Sequence, residues 1–175
     1  HIGAHADAPI HYHPQGGGIE TRSAERYIGP AQVIEIALPP SARIRVADLQ
    51  GIEIGASRVL FKTHSFPHPD IWKQDFNSLS PELVSYLVSK GVQLVGIDTP
   101  SVDPADDKEL LSHHAIFDHD LAILEGLVLK DVPPGFYTLI APPLRLSGAD
   151  ASPVRAILIR DSEIGRAFFE SEKFR

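Results

Sequence analysis

The first eleven residues contain an unusual density of side chains that bind metal ions. Four of them lie in this short segment: His1, His5, Asp7 and His11. Gly3 and Pro9 are unfavourable inside a helix, so we expect an extended segment that bends at Gly3. The side chains of His5 and Asp7 then point to the same side, because side chains along an extended chain alternate with a period of two. Imidazole and carboxylate groups at this spacing predict a metal site.

A second candidate ligand lies far along the chain. Glu125 is the one charged residue in the apolar run at 122–129. A buried carboxylate is costly without a partner, and a metal ion is one such partner. For Glu125 taken alone, a salt bridge or a position at a helix end is the favoured explanation. Three histidines upstream are candidates for the remaining ligands: His113, His114 and His119.

Composition restricts the chemistry of such a site. The chain has 175 residues, which fits one domain with a sizeable core. Because cysteine is absent, any metal must bind to nitrogen and oxygen ligands, which favours zinc or manganese. The net charge of −7 gives no reason to expect nucleic acid or an anionic membrane as a partner, and no apolar run is long enough to span a bilayer.

The apolar pattern predicts an α/β domain with a mixed sheet that positions these residues. Strands are expected at 31–36, 58–62, 92–97, 136–146 and 153–160, with a turn at 148–152. A helix should begin with Ser80 as its N-cap and end at Gly91, and further helices are expected at 46–50, 106–119 and near the C-terminus. Residues 1–18 are expected to be extended or loop, without a helix.

Two aspartates follow the strand at 92–97. Asp98 and Asp103 lie in the loop at its carboxyl end, which is where active sites occur in open α/β sheets. Aspartate also forms turns and caps through its backbone contacts, and we favour this structural role over a catalytic one for both residues.

Four separated motifs resemble those of the metal-dependent cyclase-type hydrolases, and among these the bacterial kynurenine formamidases (arylformamidases). They are the opening His-x-Gly-x-His-x-Asp-x-Pro-x-His, the segments at 95–104 and 122–129 with His113 between them, and Ala-Ser-Pro-Val-Arg-Ala at 151–156. The resemblance implies a single domain of swivelling β/β/α, cyclase-like architecture. It also implies hydrolysis of the linear amide of N-formyl-L-kynurenine, a step of tryptophan degradation.

The resemblance further implies a role for each site residue. Five residues would hold two zinc ions, with manganese as the alternative metal: His1, His5, Asp7, His113 and Glu125. Asp7 would bridge the two ions and Glu125 would contact both. His11 matches the catalytic acid–base histidine of the family. The implied substrate is a small aryl formamide, and the implied assembly is a homodimer or a larger homo-oligomer.

Two other functions remain open on the sequence alone. One is hydrolysis of isatin or another cyclic amide on the same scaffold, and the other is metal binding without catalysis.

This chain departs from the family pattern in two places. The family carries Thr where this chain has Ala4, and it carries residues ahead of the first motif, so we expect a segment to precede His1 in a domain that spans 1–175. The opening residues lack the basic and apolar regions of a signal peptide, and we expect a cytoplasmic protein.

Overall fold

The computed structural model describes residues 3–160. This part of the chain contains ten strands: β1 (His5–Asp7), β2 (Ile28–Glu35), β3 (Arg43–Ile44), β4 (Arg58–Lys62), β5 (Ser78–Leu79), β6 (Leu94–Ile97), β7 (Ala122–Leu124), β8 (Gly135–Ile140), β9 (Ala151–Pro153) and β10 (Ile157–Ile159). It also contains three α-helices: α1 (Pro9–Tyr12), α2 (Pro81–Ser89) and α3 (Leu111–Asp118). Short 3₁₀ turns occupy Ile19–Thr21, Ala24–Tyr27 and Val46–Leu49.

Six of these strands form a mixed central sheet in the order β10-β8-β2-β4-β6-β7. The four strands β2, β4, β6 and β7 are parallel to one another, whereas β8 and β10 are antiparallel to their neighbours. Each of β4, β6 and β7 is buried along its whole length, which fits the apolar sequences of β6 and β7 and the apolar centre of β4 between Arg58 and Lys62. β3 and β5 form a separate parallel pair, and β1 and β9 form a third small sheet.

Alternate residues of the parallel strands face two hydrophobic clusters. Val59 and Phe61 of β4 pack in the cluster that contains Leu83 of α2 and Ile116 of α3. Leu60 lies between them in the sequence and belongs to the cluster on the other face of the sheet. This alternation follows from the period of two along a strand, and it fixes the sheet between two apolar layers.

The β1–β9 pair attaches the N-terminal motif to the end of the sheet. β9 runs antiparallel to β1, so that His5 lies opposite Pro153 and Asp7 opposite Ala151. The other edge of β1 meets the chain just after β7, where His5 and Glu125 form an isolated antiparallel bridge. The histidine motif therefore lies at the carboxyl end of the parallel strands, the edge where α/β proteins place their ligands.

The mixed α/β fold predicted from the sequence is confirmed. The strand at 58–62 has the predicted limits, and Ser80 caps α2 by accepting a hydrogen bond of 3.2 Å from the Leu83 N–H.

Several predictions were wrong. The strand expected at 136–146 ends at Ile140, and the helix expected at 106–119 spans only Leu111–Asp118. Residues 9–12 form a helical turn, because Pro9 at its first position suits the start of a helix. Ala151 and Ser152 were predicted to lie in a turn, but they form part of β9. Their strand conformation comes from pairing with β1, at the other end of the sequence.

The C-terminal helix expected after residue 160 lies outside the described residues, as does His1. Among residues 3–160, no helix is long and apolar enough to cross a membrane.

Candidate metal centre

Four titratable side chains from three parts of the fold converge in one buried cluster. His5 and Asp7 come from β1, His113 comes from α3, and Glu125 follows β7. One ligand atom from each of His5, Asp7 and Glu125 lies within 4.8 Å of the others, a spacing that can hold a metal ion. The side chains of Asp7 and Glu125 are 1% and 0% exposed, so the cluster is closed to bulk solvent on the carboxylate side.

Each carboxylate in the cluster lies between the same two histidines. Nε2 of His5 is 3.5 Å from Oδ1 of Asp7 and 3.3 Å from Oε2 of Glu125. Nε2 of His113 is 3.7 Å from Oδ2 of Asp7 and 3.4 Å from Oε1 of Glu125. One oxygen of each carboxylate therefore faces His5, and the other faces His113. Two cations could share the carboxylates in this arrangement, one beside each imidazole.

The hydrogen bonding of the cluster fits a metal ion. Both carboxylate oxygens of Asp7 and Nε2 of His113 are buried, and within residues 3–160 none of the three atoms has a hydrogen-bond partner. Buried polar atoms are nearly always hydrogen-bonded, and a buried carboxylate without such bonds is costly. A cation placed between these atoms would satisfy all three of them.

The charge balance of the cluster also favours a cation. Burial raises the pKa of Asp7, and the negative charge of Glu125 raises it further. Burial lowers the pKa of His113, but the carboxylates of Asp103, Asp7 and Glu125 outweigh burial, and the net pKa is raised. The negative charge around His113 therefore favours a positive charge at this position. A divalent metal ion would supply that positive charge between the two carboxylates, and its binding would displace any proton on Nε2.

Asp103 holds His113 in place from behind. Its Oδ2 accepts hydrogen bonds from Nδ1 of His113 at 2.8 Å and from the His113 backbone N–H at 3.0 Å. Oδ1 accepts from Nη1 of Arg43 at 2.8 Å, and the Ser112 N–H also donates to this carboxylate. With Nδ1 engaged in this way, Nε2 of His113 faces the cluster. Asp103 therefore orients His113 in addition to the predicted capping role, and no local sequence pattern indicated this contact.

Asp98 has a structural role, as predicted, but it links two strands instead of forming a turn in its own loop. Its carboxylate accepts hydrogen bonds from the Thr63 hydroxyl at 2.6 Å, the Thr63 N–H at 2.9 Å and the His64 N–H at 3.3 Å. Burial raises the pKa of Asp98 more than these hydrogen bonds lower it. The residue joins the carboxyl ends of β4 and β6 and is not among the four residues of the cluster.

His11 lies at the border of the cluster. Its side chain is 33% exposed, and its Nε2 is 3.9 Å from Oδ2 of Asp7. Its Nδ1 is 3.0 Å from Oδ2 of Asp150, a residue that no sequence motif indicated. The side chain is therefore next to the carboxylates and also accessible from solvent. Both properties suit a group that transfers protons.

Three further histidines lie near α3 but outside the cluster. His13 stacks on Phe117 with a centroid distance of 3.7 Å and meets the edge of His114 at 6.2 Å. Nε2 of His119 is 3.3 Å from the Ser85 hydroxyl. Of the three upstream candidates, only His113 reaches the carboxylates. The predicted ligand His1 lies outside the described residues.

Known proteins share both the sequence and the fold of this chain. The family model described as "Putative cyclase" matches residues 1–104, which is more than half of the chain. A kynurenine formamidase of Maricaulis maris (strain MCS10) is 43% identical over 159 residues, covering 90% of this chain and 76% of the relative.

Solved structures extend the similarity to three dimensions. A potential metal-dependent hydrolase with cyclase activity superposes with a TM-score of 0.81 at 33% identity, covering 91% of this chain and 79% of the other. An isatin hydrolase bound to the product analogue thioisatinate superposes with a TM-score of 0.72 at 23% identity, covering 91% and 72%. At that identity, the second likeness concerns the fold.

Proposed function

The chain belongs to the cyclase family of metal-dependent hydrolases, and from this premise we propose that it hydrolyses N-formyl-L-kynurenine to L-kynurenine and formate. The observation that carries the proposal is the 43% identity to a kynurenine formamidase in a chain whose His5, Asp7, His113 and Glu125 meet in one buried cluster. The reaction breaks a linear amide C–N bond and is a step of tryptophan degradation.

The proposal assigns two divalent ions, zinc or alternatively manganese, to the cluster. His1, His5 and Asp7 would hold one ion, His113 would hold the other, Asp7 would bridge them, and Glu125 would contact both. The two-sided placement of the carboxylates supports two ions rather than one. Bound divalent cations polarise an amide carbonyl and lower the pKa of water, so that hydroxide is available near neutral pH.

His11 supplies the proton transfer in the proposed reaction. Nε2 of His11 accepts a proton from water as a C–O bond forms between that water and the formyl carbon, and it passes the proton to the aryl nitrogen as the C–N bond breaks. The position of Nε2, 3.9 Å from Asp7 and partly exposed, supports this role. Asp103 keeps His113 oriented throughout, and the burial of Asp7 and Glu125 keeps bulk water away from their charges.

A metal analysis combined with an assay tests the proposed function. The purified chain should contain zinc or manganese, hydrolyse N-formyl-L-kynurenine, lose activity on treatment with a chelator and regain it when either metal is returned. Metal binding without hydrolysis of any amide would instead favour the non-catalytic function. The resemblance also supports a homodimer or larger homo-oligomer, and sedimentation at the monomer mass would contradict that assembly.

Hydrolysis of isatin or another cyclic amide is the second candidate. The superposition on an isatin hydrolase favours it, but at 23% identity this likeness concerns the fold, whereas the formamidase is 43% identical. Parallel assays with both substrates separate the two candidates. A kcat/KM for isatin above that for N-formyl-L-kynurenine would reverse the assignment.

A further inference from the structure

Asp150 contacts the far nitrogen of His11. Its Oδ2 lies 3.0 Å from Nδ1 of His11, although 139 positions separate the two residues in the sequence. The backbone carbonyl of Asp150 also accepts a hydrogen bond of 2.8 Å from the Ala8 N–H. Because Ala151 lies opposite Asp7 in the β1–β9 pair, the register of that pair places Asp150 beside α1.

The two nitrogens of His11 therefore face different surroundings. Nδ1 points to Asp150 at the surface, and Nε2 points to Asp7 in the buried cluster. A neutral imidazole carries its hydrogen on one nitrogen only, and a carboxylate next to Nδ1 favours the form in which Nδ1–H donates. The lone pair then lies on Nε2, on the side of the cluster. A hydrogen bond to His11 lowers the pKa of Asp150, so this carboxylate stays charged near neutral pH.

We propose that Asp150 is a positioning residue for the reaction, which fixes the orientation and the tautomer of His11 so that Nε2 exchanges protons with the substrate. The inference rests on the proposed function, because it gives His11 a task that a surface histidine would not have. Asp150 does not touch the substrate in this scheme and acts only through the imidazole.

The turn that carries Asp150 is held independently of its side chain. The Gly148 N–H donates to Oε2 of Glu20 at 3.0 Å, and the Ile19 N–H donates to the Ala149 carbonyl at 2.9 Å. Gly148 has a φ of +70°, which suits glycine at this bend. Removal of the Asp150 side chain leaves these contacts and the backbone bond to Ala8 in place, so the effect of the variant on His11 can be measured in a folded protein.

A simple surface ion pair is the competing explanation. The side chain of Asp150 is 66% exposed, and exposed pairs contribute little to stability. A surface pair predicts little change in any property when Asp150 is removed. A positioning role predicts a loss of turnover without a matching loss of stability or of metal.

Steady-state kinetics of the metal-loaded enzyme separate the two explanations. Asp150→Ala should lower kcat on N-formyl-L-kynurenine by about 10–100-fold, the usual effect of losing a carboxylate that orients a histidine in a metal site. KM and bound metal should stay as in the wild type, and Asp150→Glu should restore most of the lost turnover. Glu20→Ala is the matched control, because it removes the acceptor for the Gly148 N–H in the same turn without touching His11. An unchanged kcat in Asp150→Ala, or an equal loss in the control, would overturn the proposal.

A double-mutant cycle tests whether Asp150 acts through His11. In a His11→Ala background the further change Asp150→Ala should have no additional effect on kcat, because the imidazole it positions is gone. Losses that multiply in the double variant would contradict the assignment.

A spectroscopic measurement keeps the test independent of the proposed substrate. ¹⁵N chemical shifts of the His11 ring should show hydrogen on Nδ1 in the wild type and a shift toward hydrogen on Nε2 in Asp150→Ala. Identical shifts in both proteins would overturn the positioning role. A wild type without formamidase activity would contradict the proposed function, and the ring shifts would still decide whether Asp150 sets the tautomer.

Discussion

His5 and Glu125 are joined twice, through the backbone and through their side chains. The His5 N–H donates to the Glu125 carbonyl and the Glu125 N–H donates to the His5 carbonyl, each at 3.0 Å. Nε2 of His5 also lies 3.3 Å from Oε2 of Glu125. The backbone bridge fixes β1 against the end of β7, and its position brings two candidate ligands together that lie 120 residues apart in the sequence. Assembly of the site therefore depends on formation of the sheet.

Glu125→Gln should bind metal much more weakly than the wild type. The amide has the shape of the carboxylate and leaves the backbone bridge intact, but it removes the charge shared between His5 and His113. Metal affinity can be measured by competition with a chelator. It should fall by more than the roughly 10–100-fold expected when a residue that only hydrogen-bonds to a metal ligand is lost. The increase in Tm that metal gives the wild type should shrink accordingly. Glu109→Gln, at an exposed glutamate, is the control, and equal affinity in the two variants would contradict a ligand role for Glu125.

Asp103→Asn should weaken the cluster through His113. The change removes the charged acceptor for Nδ1 of His113 and for Arg43, so we expect metal affinity to fall by about 10–100-fold. The free energy of unfolding should fall by about 1–3 kcal/mol, because Arg43 remains partly buried but loses a charged hydrogen-bond partner. Asp107→Asn separates the two effects, since Asp107 contacts Arg43 at 2.5 Å in the same way without contacting His113. Should both variants bind metal equally weakly, Asp103 would act only through Arg43.

The sequence predicts those parts of the fold that depend on neighbouring residues. The β4 strand is a run of buried residues, and α2 begins at a Ser-Pro cap, so both could be located from local pattern alone. The β9 strand is only three residues long and contains a proline, and its strand conformation comes from pairing with β1. No local pattern carries that information, and for the same reason the contact between Asp150 and His11 could not be foreseen.

The sequence indicates a candidate site residue where a metal-binding residue type stands in an unusual context or at an unusual spacing. A carboxylate in an apolar run made Glu125 a candidate, although a salt bridge was the favoured explanation for it alone. The spacing of His5 and Asp7 predicted a shared side, and the two side chains do meet in one cluster. Asp103 was assigned to capping because an aspartate after a strand usually has that role. Its second contact, to His113, depends on where α3 begins, and this start follows the left-handed residue Leu110 rather than a recognisable cap.

His11→Ala should reduce turnover without affecting the metal. The side chain lies 3.9 Å from Asp7 at the border of the cluster, and we assign it to proton transfer rather than to metal binding. The kcat on N-formyl-L-kynurenine should fall by about 10²–10⁴, the usual contribution of a general acid or base, with metal content equal to that of the wild type. Added imidazole should recover part of the activity if the cavity left by the side chain admits it. Loss of metal together with activity would place His11 among the ligands.

Asp120 provides a pH-dependent contribution to stability away from the metal cluster. Its carboxylate accepts from Nη1 of Arg22 at 2.6 Å and from Nη2 of Arg26. Burial opposes ionisation, but hydrogen bonds from Arg22, assisted by Arg26, outweigh it and lower the pKa of Asp120. Because the folded-state pKa is the lower one, the unfolded chain binds more protons as the pH falls. The stabilisation is present above the unfolded-state pKa and is lost as the pH falls through the folded-state pKa.

Asp120→Asn should remove this pH dependence with little strain. Asp120 has a φ of +51°, a left-handed conformation that asparagine tolerates well, so the variant changes charge rather than backbone geometry. At neutral pH the variant should be less stable by about 1 kcal/mol or less, since the carboxylate is largely exposed to solvent. Urea unfolding at pH 7 and at pH 3 should show the difference from the wild type shrinking at the lower pH. Asp118→Asn, at an exposed position on α3, is the control, and a difference that stays constant or grows toward acid would contradict the assigned direction of the Asp120 pKa.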